Sequence, residues 1–288
     1  MNKNRILRLT LGASLLLFAA CSQDETTEQG TILPEGKYPL QIGSVTMSVE
    51  SSERPWGADA PQTRVAENAD GNSSTWQNGD KISVQIGDGT LGTYTYNDGN
   101  LTVTEGDTPA YWANKDDNQT ITAWYTNPDY TIGNNVTLSD QTTALAYVIT
   151  AQATANFNQS VPLTFSHKLA KVRVVLTGGK ANDVTAVSIK NYTSCNVNNG
   201  TVTPGTAGYI AMHQATYGTL TCWEANVVPG TTLKDNAFEI ITTDGKTATA
   251  SLISEIALTA ATVHTVTLTI DKKPTEITGG ATITTPGD

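Results

Sequence analysis

The sequence predicts an all-β protein built from antiparallel sandwiches, and three observations carry that reading. Thr, Val and Ile recur in alternating runs such as "TVHTVTLTI" at 262–270, the period that buries one face of a strand. Turn pairs punctuate these runs: Asp70-Gly71, Asn78-Gly79, Asp88-Gly89, Asp98-Gly99, Asn199-Gly200 and Asp244-Gly245. Such pairs reach positive φ at little cost, as tight hairpins require. No stretch of about a dozen residues sustains a helical period.

Along the chain, Lys3, Arg5 and Arg8 precede an apolar run at 9–20. That run suits the core of a signal peptide and is shorter than the ~20 residues of a bilayer-spanning helix. Residues 1–20 therefore read as a signal peptide. Phe18-Ala19-Ala20-Cys21 reads as a bacterial lipobox with Phe18 where Leu is usual, which makes Cys21 the lipidation site and first residue of the mature chain. Residues 21–36 are polar and acidic without apolar periodicity and read as a flexible tether. Asp24 and Glu25 close behind the cysteine resemble the acidic signal that sends some lipoproteins to the outer face of the outer membrane.

Residues 38–50, "YPLQIGSVTMSVE", alternate with a slip in phase: Leu40 and Ile42 precede it, Val45, Met47 and Val49 follow. A bulge at Gly43 reconciles the two halves. Residues 51–74 have no period and are rich in Pro, Gly, Asn and Ser, which predicts a long loop. Strands resume at "KISVQIG", "GTYTYN", "NLTVTE", "AYWAN" and "TITAWYT". In "SVPLTFSHKLAKVRVVLTG" Val161, Leu163, Phe165 and Leu169 share odd numbers, and Val172, Val174 and Leu176 share even ones. A strand that bends there, or passes from one sheet or domain to another, accounts for the slip. Further strands follow at "DVTAVSIKNY", "GTVTP", "GYIAM", "TCWEANVVPG", "AFEIITTDGKTATASL" and "HTVTLTI".

The chain has 17 basic and 27 acidic residues. Three of the basic and none of the acidic residues fall in the signal peptide, so the mature chain carries 14 minus 27, or −13. That balance argues against nucleic acid and anionic lipid headgroups as partners.

No constellation for catalysis emerges, and the protein reads as a non-enzyme without a cofactor. His167, His213 and His264 stand in no metal-ligand spacing, and no G-x-S-x-G, P-loop or dinucleotide fingerprint occurs. "NADGN" does not meet the calcium-loop pattern, and no carboxylate pair stands out as a glycosidase pair. Cys195 and Cys222 admit two readings, a disulfide suited to an exported chain or two separate buried thiols. Trp112, Trp124, Tyr125 and Tyr130 are near enough in sequence to form a sugar-binding platform, with core packing as the other reading.

Several stretches, taken in order, resemble the fimbrillin family. "STWQNGDKISV" has its aromatic residue, N-G-D and apolar strand; "LTFSHKLAKVRVVL" has its L-x-F-x-H-x-L-A-K-V-x-V segment. "VVPGTTL" and "FEIITTDGKTATASL" resemble its later strand pair. "LTAATVHTVTLTI" resembles its closing strand, with Ala261 where Gly is usual and His264 where Tyr is usual. "QTRVAEN" matches the T-R that ends the family's N-terminal segment.

The resemblance implies two transthyretin-like antiparallel β-sandwich domains in tandem, at 37–163 and 164–288, and a lipoprotein that becomes a structural subunit of a type V pilus. The expected partners are other pilus subunits, with host or bacterial surface ligands as further candidates; the expected location is the outer membrane and the fimbrium, and the membrane is engaged only through the lipid. In this reading Arg64 is the protease-processing site, cutting there removes the first strand at 38–50, and a strand from another subunit replaces it. The candidate donor strand lies at 275–284, where Ile277, Gly279, Ala281 and Ile283 share one face. The alternative is a surface lipoprotein of β-sandwich domains that binds glycan.

Overall fold

A computed structural model describes residues 38–47, 65–67, 74–127, 135–198, 201–271 and 281–283. Among them the regular structure is β-strand apart from a short 3-10 turn at Ala181–Asp183. A seven-stranded sheet runs in the order β2 (Ile42–Met47), β12 (Val161–His167), β11 (Tyr147–Ala155), β9 (Gln119–Asn127), β5 (Lys81–Ile86), β6 (Gly92–Asn97) and β7 (Asn100–Thr102). Its two edge strands, β2 and β7, come close to each other, so the sheet curls around its own inner face. Two short pairs accompany it: β1 (Tyr38–Pro39) with β8 (Tyr111–Trp112), and β3 (Val65–Glu67) with β4 (Ser74–Trp76).

The rest of the chain forms a five-stranded sheet of β18 (His213–Tyr217), β19 (Leu220–Val227), β13 (Ala170–Thr177), β24 (Val263–Thr269) and β25 (Ala281–Ile283). A four-stranded sheet holds β17 (Ala207–Ala211), β14 (Val184–Tyr192), β21 (Phe238–Thr242) and β22 (Thr247–Ala250). Smaller groups are β10 (Asn135–Thr137) with β15 (Ser194–Asn198) and β16 (Thr201–Pro204), and β20 (Thr232–Leu233) with β23 (Ile256–Ala257).

The buried apolar residues form two clusters. The first takes the inward positions of the seven-stranded sheet, among them Ile82, Val84, Ile121, Tyr125, Ile149, Leu163 and Phe165. The second lies between the five- and four-stranded sheets and includes Val172, Val174, Ala225, Val187, Ile189, Phe238 and Val266. Val136, Leu138, Ala146 and Val148 also belong to the second cluster, although the strand they lead into, β11, sits in the first sheet. The two cores are therefore interleaved in sequence around 136–148.

Both phase slips have a structural cause. In the parallel pair of β2 and β12, Val161 faces Ile42 and Pro162 faces Ser44, so Gly43 is the extra residue of a bulge. A Cβ at position 43 would run into the Ser160 side chain, which explains the glycine. At Leu169 the chain leaves the seven-stranded sheet as β12 and enters the five-stranded one as β13. The turn pair Asp98-Gly99 closes the β6–β7 hairpin with φ of 45° and 89°, the positive pair that a two-residue type I′ turn demands. Residues 51–74 are not wholly irregular, however: Val65–Glu67 pair with Ser74–Trp76. Three residues are too few to reveal a period of two.

Ala261, which stands where the fimbrillin pattern has glycine, has φ of 56°. Its N–H donates to the Leu169 carbonyl at 2.9 Å, which ties the turn before β24 to the start of β13. A Cβ in the left-handed region costs about 1–2 kcal/mol. Ala261→Gly is therefore expected to stabilise the fold by roughly 0.5–1 kcal/mol after the entropy of the added glycine, read as a rise in the urea midpoint. A fall in that midpoint would refute the assignment of strain to Ala261.

Candidate functional site

The N-terminal strand region is held at an edge. β1 pairs with β8, and among the described residues β2 pairs only with β12. Tyr38 and Leu40 are buried in the first cluster, and Ile42, Val45 and Met47 pack half-buried against it. The Tyr38 ring meets Phe157 edge-on at 4.8 Å. Leu40 donates its N–H to the Ala110 carbonyl at 2.8 Å and accepts from the Tyr94 hydroxyl at 3.3 Å. Burial pushes the Tyr94 phenol up to about 12, so it is a neutral donor there. Farther along, Thr46 and Thr164 share a hydrogen bond of 3.2 Å.

The inner wall beneath this strand is aromatic. Trp76 lies against Phe165 at 5.0 Å and Tyr125 at 5.5 Å, both edge-on. Ser74 Oγ donates to Met47 Sδ at 3.3 Å and shares a 2.7 Å hydrogen bond with His167 Nε2. Removing 38–47 would expose the β12 edge together with Val161, Leu163 and Phe165 beneath it.

A second feature sits where β12 gives way to β13. Lys171 and Arg173 point away from the second core, opposite to Val172 and Val174. On the neighbouring strand β19, Glu224 lies directly across from Arg173 and Asn226 across from Lys171. Glu224 is fully buried; Lys171 Nζ is 3.5 Å from its Oε2, and Arg173 Nε donates to its Oε1. The Tyr217 hydroxyl donates to Oε2 at 2.7 Å, and the Arg173 guanidinium lies 4.8 Å from the Tyr217 ring centre. Burial works to raise the Glu224 carboxyl, but Lys171 and Arg173 outweigh it and hold the group below the usual carboxylate range.

Gln141 covers this polar face. Its amide donates to the Asn226 carbonyl at 2.8 Å, and its Oε1 accepts from the N–H groups of Asn226 and Ala146, each at 3.0 Å. His213 Nδ1 bonds the Thr142 carbonyl at 2.8 Å. His167 is buried beside Tyr147, and burial with the Lys171 charge pulls it down to about 3. This is structural chemistry: charges paired with one another in a buried setting.

The residues singled out by sequence are distributed as follows. Cys21, Arg64, Ile277 and Gly279 lie outside the described residues. Ala281 and Ile283 belong to β25, which pairs antiparallel with β24 of its own chain, Ala281 opposite Leu268 and Ile283 opposite Val266. Cys195 and Cys222 are free thiols, both buried. They lie on β15 and β19, strands of different sheets. Burial raises them to about 11 and about 12 respectively, so both are inert thiols at neutral pH. Of the aromatic residues weighed as a platform, Trp112 and Tyr125 are in the first core and Trp124 is half-exposed; Tyr130 lies outside the described residues.

The Lys171–Glu224–Arg173 cluster was not anticipated. In "AKVRVV" an alternating reading sends Lys171 and Arg173 to solvent, and only the covering segment around Gln141 reverses that.

Among solved structures, a candidate cell adhesion protein from Bacteroides uniformis superposes with a TM-score of 0.53 at 20% identity, over 82% of this chain and 100% of that one. A candidate cell adhesion protein from Bacteroides ovatus gives 0.51 at 15% identity, over 84% of this chain and 96% of that one. At these identities the likeness is one of fold. No curated protein matches the chain. The profile of the fimbrillin-like family matches residues 63–285, starting beside Arg64 and running through β25, and the protein belongs to the fimbrillin-like family.

Proposed function

We propose that the protein is a structural subunit of a type V pilus, stalk or tip, that supports adhesion. In this reading it is exported as a lipoprotein, acylated at Cys21 and displayed on the outer membrane. It is organised as two sandwiches in tandem, 37–163 and 164–288. A trypsin-like protease cuts after Arg64, and the tether, β1 and β2 leave together. A strand from a second subunit takes their place, as in donor-strand complementation, and the head-to-tail contact repeats into an open filament.

The observation that carries the reading is the edge position of β2. An edge strand can leave without parting the rest of the sheet, and its departure exposes unpaired backbone and apolar side chains that cannot persist in water. Arg54 is a poorer target than Arg64 because Pro55 follows it. The tail that includes Ala281 and Ile283 is the candidate donor, and it must first release its pairing with β24. The glycan-binding alternative loses support, since Trp112 and Tyr125 are occupied in the core.

Limited digestion of the precursor with a trypsin-like protease is expected to give a chain beginning at Val65 and to convert monomers into detergent-resistant multimers. Arg64→Ala is expected to stop both. A surface protein that still begins at Cys21 and assembles would overturn the strand-exchange reading.

A further inference from the structure

The two strands that continue toward the chain termini, β2 and β24, are each paired in parallel. β2 lies along β12, Ile42 opposite Val161 through Met47 opposite Phe165. β24 lies along β13, Lys171–Thr177 against Val263–Thr269. β12 and β13 are themselves joined directly, through Lys168 and Leu169.

From this we infer that the fold is a mechanical clamp for tension applied between its N- and C-terminal ends. Tension enters β2 at its N-terminal end and leaves β12 at its C-terminal end, where β13 begins. For a parallel pair these are opposite ends of the ladder. The backbone hydrogen bonds, evenly spaced in a parallel ladder, are therefore sheared together rather than opened one after another. The second pair behaves alike. β13 is held at its N-terminal end by β12, and β24 is drawn from its C-terminal end. This holds whatever the angle between the two sheets, because each pair is loaded through its own strand ends.

The joint between the clamps is reinforced. Lys168 donates its N–H to Val148 at 2.8 Å, Ala261 donates to Leu169 at 2.9 Å, and Lys171 donates to Thr262 at 3.0 Å. On its other side β13 is paired antiparallel with β19, where Arg173 and Lys171 engage Glu224. β13 thus has partners on both sides while it transmits load. β1 and β25 stand outside the clamps. β1 is a two-residue antiparallel pair with β8 that an N-terminal pull meets first, and β25 pairs antiparallel with β24, so both short pairs give way early and leave the parallel pairs to resist.

The proposal concerns the uncut chain, because cutting after Arg64 would remove β2 and with it the first clamp; it takes from the lipoprotein reading only the tether through which tension enters, and the clamp is a property of the topology. Single-molecule force spectroscopy on the mature chain, with Cys21→Ser, tests it by comparing two attachments. Pulling from the N-terminus against the C-terminus loads both clamps in shear. Pulling from Thr219→Cys against the C-terminus does not. Thr219 is an exposed turn residue beside Leu220, at the same end of the sheet as the end of β24, so this pull unzips the sheet from that end. Cys195 and Cys222 are buried and leave the added thiol as the reactive one.

The expected result is a small early release of β1 and β25 and then a main unfolding force several-fold higher in the first geometry than in the second. The Thr219→Cys chain pulled by its two termini should match the parent, which separates a geometric effect from damage by the substitution. Equal forces in the two geometries would overturn the clamp. Failed assembly with a high terminal force would instead count against strand exchange alone.

Discussion

Glu224→Gln is expected to lower the unfolding free energy by about 3–5 kcal/mol, the cost typical of breaking a buried ion pair by removing one partner. The amide keeps the shape of the side chain but removes the charge that Lys171 and Arg173 both face. Replacing the three residues together with apolar ones of similar volume is expected to recover most of the loss, because the desolvation cost of the charges then disappears. Urea titration of the single and triple variants checks this. A single variant within ~1 kcal/mol of the parent would mean that the cluster is solvated in practice.

Acid is expected to destabilise the protein before its carboxylates titrate. His167 is depressed from 6.5 to about 3 by burial and by the Lys171 charge. Between those values the unfolded chain binds a proton that the native chain refuses, so stability falls as pH falls through that window. By linkage the loss between pH 7 and pH 4 is about 3 kcal/mol. His264, half-buried and also depressed by burial, acts in the same direction. Glu224 adds a further loss below its unfolded value, where the unfolded carboxyl protonates while the folded one, held low by the two cations, stays charged. Ser74 and the Tyr147 ring face His167, and Lys171 acts on it through its charge. His167→Gln is expected to flatten the dependence between pH 4 and pH 6.5, measured as unfolding midpoint against pH. An unchanged slope in that variant would assign the effect elsewhere.

Strand content and several details of register were legible in the sequence, because alternation and turn pairs are local signals. The bulge at Gly43 and the change of sheet at Leu169 both follow from apolar residues that change parity. What was not legible depends on partners distant in the chain. Lys171 and Arg173 obey the same alternation as an exposed face, and only Gln141 and its neighbours, docked from another strand connection, make that face an interior. For the aromatic residues, alternation already required one of Trp124 and Tyr125 to face inward, and core packing is what Trp112 and Tyr125 adopt. Trp112 and Trp124 resemble each other locally, but the pairing of Trp112 with Tyr38 puts the former in the core, while Trp124 lies on the other face of its strand from Tyr125. The β3–β4 pair escaped because each strand is only three residues long.

The bulge at Gly43 also acts as a reading frame. The inward positions run Tyr38, Leu40 and Ile42, then skip to Val45 and Met47, so one step in the series is three residues rather than two. Any segment that occupies the whole of that place must carry the same skip, with a residue as small as glycine beside Ser160. A strictly alternating segment matches the frame on one side of the skip and is out of phase on the other, where its apolar side chains face solvent. Ile277, Gly279, Ala281 and Ile283 alternate without a skip. As the proposed donor, the tail would therefore fit beside only one half of the edge that β2 would leave, and the half it reads would be set by where it enters.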